Sequence, residues 1–180
     1  MTVLKMKITD NKRLESLIAR LKGKKKIRVL FVCLGNICRS PAAEGIMKSV
    51  VEERNASDRW EIDSAGTGNY HIGDLPDRRM RVHALRRGLT LDHICRQVNQ
   101  SDFDCFDIII PMDASNERNL KLAAPSVGAE EKIIPMADFF VTFDRWDCVP
   151  DPYYEGAEGF ELVLDLLNEG CENLYQYLTP

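Results

Sequence analysis

The strongest constraint on the fold is the apolar segment of residues 27–32 (IRVLFV), in which only one of six residues is charged. Such a segment predicts a strand that is buried on both faces, as in parallel sheets. Parallel strands are joined by crossovers, which are usually helices. A turn containing Gly35 and Asn36 follows, and a helix is predicted from Ser40 because Pro41 suits a first helical turn. The chain therefore contains a predicted strand–loop–helix unit.

The same alternation continues along the chain. Strands are predicted at 27–32, 60–65, 107–110 and 132–134, with a short extended piece at 95–98. Helices are predicted at 40–54, 76–87, 114–124 and 156–177. This order predicts an α/β fold: a single three-layer domain with a four-stranded parallel sheet and helices on both faces. An extra N-terminal helix is predicted from a cap at Thr9 or Asp10 through Lys22.

Composition excludes several classes of protein. The chain has 180 residues and a formal charge of −4, which argues against nucleic acid as a partner. No apolar run approaches the roughly 18 residues of a membrane span, and the start lacks the apolar core of a signal peptide, so a cytoplasmic protein is expected. The six cysteines are scattered without a Cys-x-x-Cys pair, so neither a disulfide framework nor a metal site is predicted.

The segment between the first strand and its helix carries the predicted chemistry. Cys33 and Arg39 bracket five residues in a Cys-x5-Arg-Ser pattern. The N–H groups of a loop that enters a helix N-terminus favour an anion, and Gly35 and Asn36 tolerate the backbone angles that let such groups converge. A cysteine in this environment is expected to be held as a thiolate that attacks phosphorus, while Arg39 holds two phosphate oxygens. Ser40 is expected to donate a hydrogen bond to the thiolate.

A second predicted functional group lies near the end of the chain, where Asp151 stands between two prolines. Prolines restrict the backbone, which helps to position a proton donor for the leaving oxygen of a phosphate ester. Tyr153 and Tyr154 follow and offer flat apolar walls for an aromatic substrate. Asp151 is therefore the candidate general acid.

Together these motifs resemble the low-molecular-weight protein tyrosine phosphatase family. The matching segments are VCLGNICRSP at 32–41, DSAGT at 63–67, MDASN at 112–116 and DPYY at 151–154. Their order and spacing agree over about residues 27–178. The resemblance implies that Cys33 forms a phosphocysteine, that Arg39 clamps the phosphate, and that Asp151 serves first as general acid and then as general base.

The resemblance also assigns supporting roles. The loop residues expected to bind substrate or phosphate are Leu34, Gly35, Asn36, Ile37, Cys38 and Ser40. Ser64 and His93 match positions that support this loop, and the cleft walls match Tyr70, Tyr153 and Tyr154. Cys38 matches a cysteine that forms a reversible disulfide with the nucleophile in some members; the alternative is an ordinary buried loop cysteine.

The predicted function is hydrolysis of phosphotyrosine in proteins, or of small aryl phosphates, without a metal or organic cofactor. Three alternatives are considered: a phosphoarginine phosphatase, an arsenate reductase on the same fold, and a phosphate-binding module without turnover. Members that prefer phosphoarginine tend to have threonine where this chain has Ile37, and residues 112–125 lack the further cysteines that arsenate reduction needs. A nucleophile and an acid together argue against binding alone.

Two parts of the chain are predicted: a basic helical extension at 1–26 and a phosphatase-like catalytic domain at 27–180. Residues 1–28 carry ten basic side chains against Asp10 and Glu15, a local charge of +8. The extension is expected to dock on its own domain, with binding to an anionic surface or partner as the alternative.

Overall fold

The fold is built on a three-stranded parallel sheet in which the first strand along the chain is the central one. The computed structural model describes residues 12–179. Strands β1 (Ile27–Cys33), β2 (Trp60–Gly66) and β3 (Ile108–Pro111) pair in the order β2-β1-β3. Every pairing is parallel, so the carboxyl ends of the three strands meet at one edge. The predicted α/β class with a parallel sheet is confirmed.

Helices cover both faces of this sheet. In chain order they are α1 (Lys12–Leu21), α2 (Arg39–Glu53), α3 (Arg78–Arg86), α4 (Asp102–Cys105), α5 (Ala114–Ala123), α6 (Val127–Glu130) and α7 (Ala157–Leu178). Alternate residues of β1 point to opposite faces: Val29 and Phe31 pack with α1, α2 and α7, whereas Leu30 and Val32 pack with α4, α5 and α6. The sheet is therefore the middle of three layers.

The prediction of four strands was wrong, because the sheet of the described residues has three. Residues 132–134 form only a bridge to β3, in which Ile109 pairs with Ile133. Ile109 donates to the carbonyl of Lys132 and accepts from the N–H of Ile134, so the next donor from β3 would be residue 111. Pro111 has no N–H group to donate, so the ladder of hydrogen bonds ends at the bridge.

Other predicted elements differ mainly at their ends. The segment before the last helix contains 3₁₀ turns at Met136–Phe139 and Pro152–Tyr154, and the short helices α4 and α6 were not predicted. The extended piece at 95–98 is reduced to a single bridge between Gly66 and Gln97. Among residues 12–179, no helix is both long and apolar enough to cross a membrane.

The first helix packs on the core. Leu14, Leu17 and Leu21 of α1 are buried in the cluster that also holds α7, as expected from their spacing on one helical face. Arg20 of α1 donates a hydrogen bond to Glu131 at 3.0 Å. The proposed caps of this helix, Thr9 and Asp10, lie outside the described residues.

This packing predicts that α1 contributes to stability. Leu17 is 1% exposed, so replacing it with alanine should lower the free energy of unfolding by about 2–4 kcal/mol. Urea denaturation measures the change, with Ser16→Ala on the exposed face of the same helix as the control. An unchanged midpoint for Leu17→Ala would show that α1 adds nothing to the fold.

Candidate active site

The loop of residues 34–38 joins the end of β1 to the start of α2 at the carboxyl edge of the sheet. Asn36 has φ of 58°, in the left-handed region that few residues other than glycine adopt readily. The loop packs against the end of β2, where Gly68 N donates to the carbonyl of Leu34 at 2.8 Å. A Cβ on Gly66 would lie 2.7 Å from that carbonyl oxygen, so this close approach requires glycine.

The side chain of Asn36 organises the polar groups behind this loop. Its Oδ1 accepts the main-chain N–H of Arg96 at 2.9 Å, which identifies the oxygen end of the amide. Its Nδ2 therefore donates, and it reaches Ser40 Oγ and Ser64 Oγ at 2.9 Å each. Because each serine oxygen already accepts one of the two hydrogens of Nδ2, each hydroxyl is left to donate its own proton elsewhere.

Ser40 has two acceptors within reach of its single proton. Cys33 Sγ lies 3.1 Å from Ser40 Oγ, and the carbonyl oxygen of Ala65 lies at 3.3 Å. Both Cys33 and Ser40 are almost fully buried. A hydroxyl that donates to sulfur stabilises a thiolate relative to a thiol, so Ser40 is placed to support the ionised form of Cys33.

A buried carboxylate lies beneath the serines. Glu44 of α2 accepts a hydrogen bond from Ser64 Oγ at 2.6 Å and lies 3.0 Å from His93 Nδ1. The other ring nitrogen of His93 is 2.9 Å from Asn36 Oδ1, so the imidazole joins Glu44 to the loop. Burial alone raises the pKa of Glu44, but hydrogen bonds from His93, Lys48 and Ser64 outweigh it and hold the pKa below its usual value.

Glu44 and His93, together with the nearby Asp63, also have the side chains of a metal site. Glu44, Asp63 and His93 each offer one ligand atom within 4.8 Å of the others. Their oxygens already have hydrogen-bond partners, since Lys48 and Ser64 donate to Glu44 and Arg96 donates twice to Asp63. The network satisfies its own charges, so its geometry is explained without a metal ion.

Arg39, at the start of α2, is 3% exposed and faces two carboxylates across the loop. Its Nη1 donates to Asp113 Oδ2 at 2.6 Å and to the carbonyl of Val149 at 3.1 Å, and its Nη2 donates to Asp151 Oδ2 at 3.1 Å. Asp113 also caps α5, because its other oxygen accepts the N–H of Asn116 at 2.8 Å. The guanidinium group is therefore held firmly while Asp151, 42% exposed, faces the open side.

These groups open onto a cleft of about 360 Å³. The cleft is lined by Cys33, Leu34, Gly35, Ile37, Cys38, Arg39, Tyr70, His71, Asp151, Tyr153 and Tyr154. The structure thus brings together at the cleft every predicted site residue except four. The side chains of these four form the hydrogen-bond network behind the loop: Asn36, Ser40, Ser64 and His93. Tyr153 and Tyr154 meet edge to face with ring centroids 5.0 Å apart.

The other cysteines near the loop differ from Cys33 in their surroundings. Cys95 donates its thiol hydrogen to the carbonyl of Asn36 at 2.8 Å, and burial raises its pKa to about 11, with Asp74 and Cys33 adding to the shift. Burial also raises the pKa of Cys38 strongly, with Asp77 and Cys33 adding to the effect. Both are thiols at neutral pH, and both are free of disulfides.

Sequence reasoning missed three groups at this site. His71 was not assigned to the site, and Asp113 was noted only within the matching MDASN segment, without a link to Arg39. Glu44 was not singled out, although it lies four residues after Ser40 and three before Met47, on the buried face of α2. A carboxylate in that helical register is the signal that could have identified it.

A buried cysteine and arginine that share an oxyanion loop at the carboxyl edge of a parallel sheet are typical of cysteine-dependent phosphatases. A family model described as low molecular weight phosphotyrosine protein phosphatase matches residues 28–179. The Gallus gallus protein of that name is 40% identical over 144 residues, which are 80% of this chain and 90% of the relative.

Solved structures agree with this match. A protein tyrosine phosphatase from Entamoeba histolytica is 46% identical and superposes with a TM-score of 0.82, covering 85% of this chain and 97% of its own. DARP, a Drosophila arginine phosphatase, is 34% identical with a TM-score of 0.79, covering 86% and 99%. The chain belongs to the low molecular weight phosphotyrosine protein phosphatase family. It is an enzyme of the protein-tyrosine-phosphatase class.

The buried carboxylate predicts a pH-dependent contribution to stability. Glu44→Gln should lower the free energy of unfolding at neutral pH by about 1–3 kcal/mol, because the charged hydrogen bonds are lost. The folded-state pKa of Glu44 lies below its unfolded value, so this contribution is present above the unfolded pKa and disappears as pH falls through the folded pKa. The difference in free energy of unfolding between the wild type and Glu44→Gln should therefore become smaller at acid pH.

Urea denaturation between neutral and acid pH measures this gap. Glu52→Gln, on the exposed side of the same helix, is the control and should show no gap at any pH. A constant difference across the pH range for Glu44→Gln would contradict the assignment of a charged Glu44.

Proposed function

We propose that this protein hydrolyses phosphotyrosine through a phosphocysteine intermediate. The observation that carries the proposal is the meeting of Cys33, Arg39 and Asp151 around one cleft with aromatic walls. Each residue comes from a different part of the chain, and each has the chemical group that one role in the reaction requires.

In the first step, Cys33 Sγ attacks phosphorus and the bond from phosphorus to the tyrosine oxygen breaks. The N–H groups of the loop and the guanidinium of Arg39 stabilise the negative charge on the transferred phosphoryl group. A bound phosphate competes with Asp151 for Arg39, which releases the carboxyl group to protonate the leaving oxygen. The products are tyrosine and phosphocysteine.

In the second step, water attacks phosphorus and the sulfur–phosphorus bond breaks. Asp151 accepts the proton from the water, and Cys33 leaves as a thiolate. The hydroxyl of Ser40, 3.1 Å from Cys33 Sγ, stabilises that leaving thiolate. Phosphate is released and the enzyme returns to its starting state, so the cycle consumes only water.

The cleft walls support an aryl phosphate as the substrate. Tyr70, Tyr153 and Tyr154 are at least 39% exposed, and their rings present apolar surface at the opening. Ile37 lines the same cleft with an apolar side chain, which suits the ring of phosphotyrosine better than the charged guanidinium of phosphoarginine. The substrates that we propose are phosphotyrosine in proteins and small aryl phosphates.

We further propose that residues 27–180 form the catalytic domain and that residues 1–26 are an extension of it. The family model begins at residue 28. The burial of α1 against the core supports docking of the extension on its own domain rather than a separate unit. Location in the cytoplasm stays a prediction from the sequence.

The roles of Cys33 and Asp151 predict different losses on substitution. Cys33→Ser should abolish phenol release from aryl phosphates while phosphate-analogue binding is retained. Asp151→Asn should lower kcat by about 10²–10⁴-fold for phenyl phosphate and less for p-nitrophenyl phosphate, whose leaving group needs less protonation. Asp144→Asn, exposed in the same segment, is the control for Asp151.

Steady-state and burst kinetics measure these effects. Equal losses on the two aryl phosphates for Asp151→Asn would contradict its role as the acid. Phenol release from Cys33→Ser at the wild-type rate would overturn the phosphocysteine mechanism.

A substrate panel tests the specificity of the cleft. Phosphotyrosine, phosphoserine and phosphoarginine peptides of otherwise identical sequence are compared by phosphate release. We expect kcat/KM for phosphotyrosine to exceed the other two by at least about tenfold, because an apolar ring gains contact with the tyrosine walls. A preference for phosphoarginine would instead place the protein with the arginine phosphatases.

A further inference from the structure

An arginine-lined groove runs along α3, beside the opening of the cleft. Arg78, Arg81, Val82 and Leu85 of α3 line it together with residues 89–91, and it encloses about 290 Å³. We call it the α3 groove. Its lining includes no carboxylate, and within the described part of the chain neither Arg78 nor Arg81 forms an ion pair.

One end of the α3 groove is formed by Arg78, whose two neighbours in sequence contact residues of the cleft. Asp77, which caps α3, donates its main-chain N–H to the carbonyl of Ile37 in the loop of residues 34–38 at 2.8 Å. Arg79 donates to the carbonyl of Tyr153 at 3.0 Å, and its guanidinium lies 5.2 Å from the centre of that ring. The start of α3 therefore contacts two residues that line the cleft, Ile37 and Tyr153, and Arg78 lies in the same helical turn.

The groove combines charge with exposed apolar surface. Val82 is 41% and Leu85 is 64% exposed, although side chains of this kind are usually buried. Both side chains line the same groove, together with Leu89 and Leu91. A concentration of apolar surface at one place on a protein marks an interaction site.

The arginines indicate the charge of the occupant. Arg78 and Arg81 stand three residues apart on one helical face, where neighbouring side chains are about 5–6 Å apart at Cβ. Two unpaired guanidinium groups at that spacing favour carboxylates, which they bind through paired hydrogen bonds. The whole protein carries −4, so this local positive surface offsets the repulsion that an acidic partner would otherwise meet.

The reaction indicates what the occupant is. A phosphotyrosine that reaches Cys33 must pass the rim of the cleft, and the polypeptide on either side of it must cross the surface around that rim. The nine residues of α3 span about 13 Å, which equals about four residues of extended peptide. The α3 groove therefore matches a short segment next to the phosphotyrosine in length as well as in chemistry.

We propose that the α3 groove binds acidic residues flanking the phosphotyrosine of a protein substrate, with Arg78 and Arg81 pairing their carboxylates and Val82 and Leu85 packing against a neighbouring apolar residue. The inference rests on the proposed phosphotyrosine phosphatase activity and names its class of protein substrate. The groove acts on substrate selection and takes no part in the chemical step.

The test compares two phosphotyrosine peptides that differ only in their flanks. One carries two glutamates on each side of the phosphotyrosine and a leucine beyond them, and the other carries glutamines in place of the glutamates. We expect the wild type to prefer the acidic peptide by about tenfold in kcat/KM, and this preference should shrink at high salt. p-Nitrophenyl phosphate, which has no flanks, reports the chemical step alone.

Two substitutions in the groove should remove the preference. In the double variant Arg78→Gln with Arg81→Gln, the two peptides should react within about twofold of each other, and p-nitrophenyl phosphate should react at the wild-type rate. Arg78→Glu with Arg81→Glu should reverse the preference. Arg86→Gln, exposed on the same helix but outside the groove, is the matched control and should keep the wild-type preference.

The outcomes separate the two proposals. A wild type that prefers neither peptide, or a double variant that keeps the preference, would overturn the role of the α3 groove while leaving the phosphatase activity intact. A wild type that releases no nitrophenol would instead refute the proposed function itself. Self-association that the double variant abolishes, with no change in peptide preference, would identify the groove as a contact between two copies of the chain.

Discussion

The hydrogen bond from the main-chain N–H of Arg96 to Asn36 Oδ1 is the constraint on which the site depends. It determines which end of the Asn36 amide donates, and through that amide it determines the direction of the hydrogen bonds of Ser40 and Ser64. The same side chain holds a left-handed backbone at the centre of the loop. Buried polar networks of this kind are stable only when every member has a partner, and here the network ends on a charged Glu44.

A second constraint on the site is the pairing of the positive charge of Arg39 with two carboxylates. The guanidinium is buried, and a buried charge is costly unless it is paired. Asp113 supplies a fixed partner because it also caps α5, whereas Asp151 sits on a half-exposed segment at the mouth of the cleft. One carboxylate therefore positions the arginine, and the other remains accessible to a substrate. This division explains how two similar aspartates at one guanidinium serve different purposes.

Much of the fold follows from local sequence patterns, and the exceptions have physical causes. The apolar run at 27–32 and the helical periodicity of α1, α2 and α7 are strong signals. The structure has β1, α2 and α7 close to their predicted ends, and α1 ends within one residue of the predicted Lys22. The prediction of a fourth strand was wrong because Pro111 has no N–H to continue the hydrogen bonds beyond the Ile109–Ile133 bridge, and only the register shows that its nitrogen faces residues 132–134. The position of Cys33 and Arg39 around a loop before a helix could be predicted, since only five residues separate them. The helical register marks Glu44 as a buried carboxylate, but neither its partners nor the place of His71 at the cleft could be assigned without knowing what they face.

By itself, the sequence determined the strand–loop–helix unit, the chemical groups that it carries and the family to which the chain belongs, because these depend on neighbouring residues and on a specific pattern. Only the tertiary structure decided which distant groups meet: Asp113 and Asp151 reach Arg39 from more than 70 residues away, and His93 reaches Asn36 from 57. It also decided that the start of α3 contacts the cleft, through Asp77 and Arg79. Hydrogen bonds and ion pairs act over a few ångströms, so the packing of the layers, rather than the order of residues, selects their partners.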